Sequence, residues 1–229
     1  MSLFESENDY YFGRRRQISL IALVLVNLLP LAGVLWFSWD AAALMLLYWA
    51  ENLILGFYTL SKMLVVSPVG GLFSGTFFLI HYGGFCGVHG MFILLFMFEG
   101  DFSPFPGNAE TWPLFFVFPQ ILFNVTREVF AIAPAQWVLA FTALFISHGI
   151  SFVFNFLMGP ERELANTKAL MGEPYGRIVV LHIAIIVGGM GTMALGEPLL
   201  MLLVLVGLKL AMDVGLHLRT HRKASPHPV

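Results

Sequence analysis

Long apolar runs recur along nearly the whole chain, and they constrain its fold more than any other feature. The hydrocarbon core of a bilayer is about 30 Å thick, so a helix of about 20 apolar residues can cross it. Of the 229 residues, 58% are hydrophobic and only 11% are charged. We therefore expect an integral membrane protein, an all-α polytopic transmembrane helix bundle with no room for a sizeable soluble domain.

Hydropathy predicts six membrane-spanning helices. They cover residues 17–38, 41–64, 72–98, 135–158, 178–195 and 198–218. A further apolar segment, residues 111–131, contains Pro113 and Pro119, and proline inside a helix removes a hydrogen bond and clashes with the preceding turn. We expect this segment to form a re-entrant or interfacial helix, and seven spans are the alternative.

The distribution of basic residues predicts the orientation. Six spans with a cytoplasmic N-terminus place on the cytoplasmic side Arg14, Arg15, Arg16, Lys62, Arg162, Lys168, Arg177, Arg219, Arg222 and Lys223. The outer loops then keep one basic residue, Arg127, among several acidic ones. We expect both termini in the cytoplasm, with an N-terminal segment at 1–16, one bundle domain at 17–218 and a basic tail at 219–229.

Many ionisable groups lie inside the predicted spans. They are Glu51, His81, His89, His148, His182, Lys209, Asp213 and His217. A charge at membrane depth costs about 2.5 to 3.5 kcal/mol on insertion scales, so such groups normally face the bundle interior and have partners. At about 1.5 Å per residue, all of them except His89 and His217 fall within one layer roughly 9 Å thick. This shared depth predicts one polar site near the membrane centre.

The segment HYGGFCGVHG, residues 81–90, combines two histidines with a glycine face. His81 and His89 are separated by about 12 Å along a helix axis, so they cannot bind one metal ion together. Gly83 and Gly87 have the GxxxG spacing that lets a neighbouring helix approach closely. We expect the glycines to fix helix packing, with a homo-oligomer through the Gly83/Gly87 face as one use. His81 would join the polar layer, and His89 would be a second site or a hydrogen-bond donor.

The segment SHGISFVFN carries a polar stripe on an otherwise apolar helix. Its members His148, Ser151 and Asn155 share one face because they are three and four residues apart. Such a stripe lines a polar network, a narrow hydrated path or a site for a lipid headgroup.

The last predicted span carries a charged ridge, with Lys209, Asp213 and His217 at four-residue steps. Asp213 and His217 could chelate one ion, or Lys209 and Asp213 could neutralise each other. Glu51, in the motif YWAEN, has no charged neighbour in its own helix. It must therefore pair with Lys209, carry a proton or bind a cation.

The YWAEN motif at 48–52, the HYGGFCGVHG motif and the SHGISFVFN stripe resemble a family of bacterial polytopic membrane proteins of unknown function. The resemblance covers most of the membrane region and implies a location in the bacterial inner (plasma) membrane, with no activity attached. The chain is also loosely similar to intramembrane zinc hydrolases of the adiponectin-receptor and alkaline-ceramidase type. Those enzymes carry an HxxxH pair on the final helix, where this chain has Asp213 and His217, so we treat the similarity as an analogy.

The polar layer first suggests an intramembrane metal site. Its candidate ligands are His81, His148, His182, Asp213 and His217. Imidazole and carboxylate ligands suit zinc or non-haem iron. A metal-bound water could attack a lipid or another apolar substrate, with Glu51 as the general base, and the protein would then be an enzyme.

Three other functions fit the same residues. A b-type haem could be bound by two of His81, His89, His148 and His182 on facing helices. A proton- or cation-coupled transporter would use Glu51, Lys209, Asp213 and the histidines. A non-catalytic assembly protein would use the polar residues only to hold helices together. Nucleotide chemistry and nucleic-acid binding are not expected, because the sequence has no glycine-rich phosphate loop and no large basic surface.

Overall fold

The computed structural model describes residues 24, 25, 28, 31–97, 103–105, 110–159, 161–195 and 199–223. The side chains of residues 97, 164, 192, 193, 195, 213 and 216–223 lie outside this description. Within the described residues the chain is helical and has no β-strand. The prediction of an all-α helix bundle is confirmed.

The described helices follow one another with short connections. Residues 31–37 belong to α1. The others are α2 (Ala41–Val66), α3 (Pro68–Met97), α4 (Val117–Ile132), α5 (Ala135–Ser151), α6 (Glu161–Leu164), α7 (Thr167–Gly172), α8 (Tyr175–Leu195) and α9 (Leu199–Lys223). A 3-10 turn at Leu114–Phe116 precedes α4, and a π-helical segment at Phe152–Leu157 continues α5.

Helices long and apolar enough to cross a membrane make up most of the described chain. They are Ala41–Val66, Pro68–Phe96, Leu114–Ile132, Ala135–Leu157 and Thr167–Gly191, with a shorter apolar helix at Leu199–Met212. The fold is therefore compatible with a multi-pass membrane protein. Half of the predicted first span, 17–38, lies outside the described residues, and α9 continues through residues 219–223 of the predicted tail.

Local sequence signals set both ends of α2 and the tight hairpin that joins it to α3. The Asp40 side chain caps α2 by accepting a hydrogen bond from the Ala42 N–H at 2.8 Å. Ser67 is extended, as the residue before a proline prefers, and Pro68 opens α3 at a position where no N–H is needed. A side chain at Gly71 would lie 2.5 Å from the Met63 carbonyl oxygen. Glycine therefore allows α2 and α3 to meet closely at this end of the bundle.

The helix α2 lies at the centre of the bundle and packs against α3, α5, α8 and α9. Trp49 of α2 is fully buried, and its indole N–H donates to the Cys86 carbonyl oxygen at 2.7 Å. Gly90 leaves the space that the indole ring fills. The buried ring therefore fixes how α2 and α3 sit against each other without an unsatisfied donor.

The glycine face of α3 packs against α4 of the same chain. A Cβ added to Gly87 would lie 2.8 Å from the Leu122 backbone nitrogen, and one added to Gly84 would lie 2.8 Å from the Phe118 Cβ. The close approach expected from the glycine spacing is thus present. Because α4 already covers the Gly83/Gly87 face, a homo-oligomer through that face would require α4 to move away.

The helix α4 packs parallel to α3. Its contacts with α3 advance in the same direction, from Gly84 beside Phe118 to Gly87 beside Leu122, so α3 and α4 run parallel. The next helix, α5, starts beside the start of α2, where the Trp137 indole N–H donates to the Ala43 carbonyl oxygen at 3.1 Å. The end of α4 therefore lies at the bundle end where α3 also ends. Since Leu114–Ile132 also has the length of a span, the choice between a re-entrant helix and a seventh span stays a prediction.

The prolines that argued against a helix at 111–131 lie where a helix tolerates them. Pro113 immediately precedes the 3-10 turn, and Pro119 is in the first turn of α4. The N–H groups of a first turn have no partner within the helix, so proline removes no hydrogen bond there.

The stretch Thr167–Gly191 is interrupted near the middle of the bundle. Glu173 and Pro174 form a turn between α7 and α8, because Pro174 has no N–H to donate to the helix. The Tyr175 hydroxyl lies 2.8 Å from Nδ1 of His81, a residue near the centre of α3. The interruption is therefore at mid-depth and not at the surface of the bundle.

We expect Gly87→Ala to destabilise the bundle because its new methyl group would meet the backbone of α4. Overpacking of this kind lowers the free energy of unfolding by about 1–3 kcal/mol. Gly207→Ala is the matched control, since no atom lies within 4 Å of the added Cβ, and it should be neutral or stabilising by up to about 1 kcal/mol. Unfolding of both variants in detergent tests this, and equal stabilities would contradict the proposed α3–α4 contact.

Candidate functional site

The carboxylate of Glu51 is the centre of an interior charge cluster. Its Oε1 accepts a hydrogen bond from Nη1 of Arg177 at 2.8 Å. Its Oε2 lies 3.7 Å from Nζ of Lys209, and Nε2 of His148 is 3.9 Å from Oε1. The Glu51 side chain is only 17% exposed. Four helices, α2, α5, α8 and α9, each contribute one member of the cluster.

The YWAEN motif explains how Glu51 reaches this place. Trp49 is buried against α3, and Glu51 is two residues further along α2, which turns it toward α8 and α9. The ring of Tyr48, the first residue of the motif, contacts Lys209, whose Nζ is 4.6 Å from the ring centroid. A cation above an aromatic face is stabilised electrostatically, so Tyr48 helps to hold Lys209 beside Glu51.

The sequence-based placement of Arg177 among the cytoplasmic loop residues is corrected by the structure. The helix α8 begins at Tyr175, before the predicted start at residue 178, so Arg177 lies in its first turn. Because the helix starts at mid-depth, its long side chain reaches Glu51 in the interior. The sequence analysis did not identify Arg177 as a partner of Glu51. The signal that could have indicated it is Pro174, which ends the preceding turn and so places Arg177 in the first turn of a new helix.

A small cavity of about 30 Å³ lies next to the charge cluster, lined by Tyr48, Glu51, Asn52, Arg177 and Lys209 together with apolar side chains. That volume is enough for about two water molecules. Oδ1 of Asn52, a residue that is 6% exposed, has no hydrogen-bond partner among the described residues. A buried carbonyl of this kind is normally satisfied, so we expect water in this cavity.

Arg177 also lines a larger polar cleft of about 230 Å³. The residues that line it are Leu55, Tyr58, Thr59, Lys62, His148, Ser151, Phe152, Glu173, Pro174 and Arg177. Two departures from regular α-helix border the cleft, the start of the π-helical segment and the turn at Glu173 and Pro174. The small cavity and the cleft therefore share Arg177 as a lining residue.

The polar stripe of α5 contributes to this cleft in part. His148 and Ser151 line it, whereas Asn155 is exposed and donates from Nδ2 to the Ser151 hydroxyl at 3.0 Å. The polar network, the hydrated path and the headgroup site all stay predictions for this stripe.

The other predicted site residues lie apart from Glu51. His81 contacts the Tyr175 hydroxyl, and Nε2 of His89 lies 2.8 Å from Nδ1 of His182. The side chains of Asp213 and His217 are outside the described part of the structure. Among the side chains that are described, no three His, Cys, Asp or Glu residues come close enough to hold a metal ion.

The fold is a helical bundle compatible with a multi-pass membrane protein, and it has an ion-paired carboxylate in its interior. A family model for a family of unknown function, DUF6498, matches residues 11–228. The chain belongs to this family, in agreement with the resemblance drawn from its motifs. No curated protein and no solved structure matches the sequence.

Removing one partner of the interior ion pair should destabilise the protein more than removing a surface pair. Arg177→Met leaves Glu51 without its hydrogen-bonded cation, and we expect a loss of about 1.5–3 kcal/mol in the free energy of unfolding. Adding Glu51→Gln to Arg177→Met should restore part of that loss, as a double-mutant cycle in detergent would measure.

Lys62→Met is the matched control for Arg177→Met. It breaks the 3.7 Å pair with Glu161, whose side chain is 55% exposed, so its effect should be below about 1 kcal/mol. Strictly additive effects of Arg177→Met and Glu51→Gln would contradict an energetic link between them.

Proposed function

We propose that the protein is a proton-coupled membrane transporter for a small oxyanion, that is, a solute with a carboxylate or phosphate group. Arg177 would bind the anion and Glu51 would take up the proton. The observation that supports this most directly is that Arg177, whose Nη1 lies 2.8 Å from the Glu51 carboxylate, lines both the water-sized cavity and the polar cleft.

The charges of the cluster favour an anionic solute. Arg177 and Lys209 carry two positive charges, and Glu51 supplies one negative charge against them. An arginine guanidinium offers a planar fork of N–H donors that matches carboxylate and phosphate groups. A solute oxyanion in the cleft would therefore compete with Glu51 for Arg177.

This competition couples the anion to a proton. When a solute displaces the Glu51 carboxylate from Arg177, the carboxylate loses its hydrogen-bonded cation and keeps only Lys209, at 3.7 Å. An ionised carboxylate that loses a hydrogen-bonded partner inside the bundle costs free energy. Uptake of a proton removes that cost. His148 lies 3.9 Å from Glu51 and also lines the cleft, so it can pass a proton between the cleft and Glu51.

The helix interruptions at the cleft support a solute site. In many transporters, solutes bind near mid-membrane where helices are broken, and half-helix N-termini face anionic groups. Here α8 starts at Tyr175 directly beside the cleft, and the π-helical segment lies opposite. Both segments provide places where the helices can bend to open the cleft on either side.

The charge distribution supports a cytoplasmic position for the end of the bundle that contains Lys62. The Lys62–Glu161 ion pair brings the connection between α5 and α8 to that end. Arg162 and Lys168 lie in this connection, so basic residues gather there as the positive-inside rule requires of a cytoplasmic face. A bacterial inner membrane with cytoplasmic termini is thus part of the proposal.

The metal-centre and haem interpretations stay predictions. A carboxylate that already faces two cations is a weak ligand for a further cation, which favours transport over a metal-dependent enzyme at Glu51. Elemental analysis of tag-free protein tests the metal-centre interpretation directly, because a zinc or non-haem iron site requires near-stoichiometric metal.

Anion binding should be accompanied by proton uptake. In weakly buffered detergent solution, with inorganic phosphate and succinate as probes, we expect about one proton taken up per anion bound. The bound state holds the extra proton on Glu51, so the affinity should rise as the pH falls. Glu51→Gln mimics the protonated side chain and should bind the anion without proton uptake and with the same affinity across pH.

Arg177→Gln should abolish binding of both probes. Arg127→Gln is the matched control, since Arg127 is an exposed arginine of α4 away from the cleft. Proteoliposomes containing the wild-type protein should accumulate the bound probe when an inward proton gradient is applied. Binding that survives Arg177→Gln, or proton uptake that survives Glu51→Gln, would overturn the proposal.

A further inference from the structure

The lining of the polar cleft carries charges of both signs. Arg177 and Lys62 supply positive charges, and Glu173 supplies a negative one. Arg177 pairs with Glu51 at 2.8 Å, and Lys62 pairs with Glu161 at 3.7 Å. Glu173 is therefore left unpaired by both cations, although all three side chains line the same cleft.

The carboxylate of Glu173 is free to accept hydrogen bonds from a solute. Its side chain is exposed, and among the described residues it takes part in neither a hydrogen bond nor an ion pair. An ionised carboxylate has about four positions at which it can accept a donor. A solute in the cleft therefore meets an acceptor that no described side chain occupies.

Arg177 presents donors to the same cleft. Its Nη1 donates to Glu51, but a guanidinium has five N–H groups in all. The Arg177 side chain is 39% exposed, so further N–H groups are accessible to a solute. The cleft thus offers donors at Arg177 and acceptors at Glu173.

The two groups lie close together on one wall of the cleft. Glu173 follows α7 with α-helical backbone angles, φ −54° and ψ −47°, and Arg177 is in the first turn of α8. Four residues of helix advance the chain by about 6 Å. A small molecule with a negative and a positive end can therefore contact both Arg177 and Glu173.

The opposite walls of the cleft favour a cation near Glu173. The rings of Tyr58 and Phe152 line the cleft, with 5.6 Å between their centroids, and aromatic faces attract cations. Lys62 would repel a second cation, but its charge is balanced by Glu161, and its Nζ lies over the Phe156 ring at 5.2 Å.

We propose that the solute is a small zwitterion, an aminocarboxylate, whose carboxylate binds Arg177 and whose ammonium group binds Glu173. This inference rests on the proposed function, because it uses Arg177 as the anion site. It narrows the substrate class from oxyanions in general to amino acids and related compounds. A dicarboxylate would bring its second negative charge toward Glu173, so the site discriminates against it.

The first test compares ligands that differ only in the amino group, by calorimetric titration of the full chain in detergent at one fixed pH. The pairs are alanine and propionate, β-alanine and propionate, and γ-aminobutyrate and butyrate. We expect at least one aminocarboxylate to bind about tenfold more tightly than its amine-free partner. If none of them binds more tightly than its partner, the proposal is wrong and the cleft is a plain oxyanion site.

Glu173→Gln should change the affinities for two kinds of ligand in opposite directions. It removes the partner of the ammonium group, so the preferred aminocarboxylate should bind about tenfold more weakly. It also removes the charge that repels a second carboxylate, so succinate should bind about threefold more tightly. Affinities that change in the same direction, or not at all, would overturn the proposal.

Glu163→Gln is the matched control for Glu173→Gln. Glu163 is an exposed glutamate of α6 that does not line the cleft. Its replacement removes the same charge from the protein, and both ligands should bind as they do to the wild-type chain. An equal loss of aminocarboxylate affinity in both variants would show a general effect of net charge and would overturn the proposal.

Arg177→Gln separates this inference from the proposed function. If it abolishes binding while the amino group makes no difference to the affinity of the wild-type chain, the proposed oxyanion site stands and the zwitterion site is wrong. If aminocarboxylates and succinate still bind to Arg177→Gln, the proposed function is wrong, and the inference fails with it.

Discussion

An ionised carboxylate inside an apolar bundle requires positive charge close by, and much of this structure is arranged around that requirement at Glu51. Arg177 and Lys209 supply the charge from two helices that are adjacent in sequence but run in opposite directions. The ion pairs of Glu51 with Arg177 and Lys209 set the relative depth of α2, α8 and α9. Moving one of these helices by one turn, about 5.4 Å, would break at least one of the two ion pairs. The polar cleft and the small cavity follow from the same arrangement.

The features that depend on local sequence patterns could be predicted. Apolar runs located the long helices, and the glycine spacing at Gly83 and Gly87 indicated a close helix contact. The helix that carries Glu51 has no other charged residue near it, which indicated that Glu51 pairs with a residue of another helix, and Lys209 was one of the expected partners. Each of these inferences uses the residue spacing or the charges within a single segment.

The features that depend on how helices are offset against one another could not be predicted. The common polar layer assumed that each helix is centred in the membrane, but α8 begins at mid-depth after the turn at Pro174. For this reason Arg177 reaches Glu51, while His182 lies beside His89 and not beside His148. The residue spacing within a single helix does not indicate how far that helix is shifted along its neighbours, because the shift is set by packing between residues far apart in the chain.

The contact between α3 and α4 also has a consequence for the order in which the bundle assembles. The buried side of α4 lies at backbone-contact distance from glycines of α3, so α4 cannot take its packed position until α3 is in place. The hairpin of α2 and α3 is local in sequence and needs no part of α4 to close. The chain can accordingly form this hairpin first and pack α4 against it in a later, separate step.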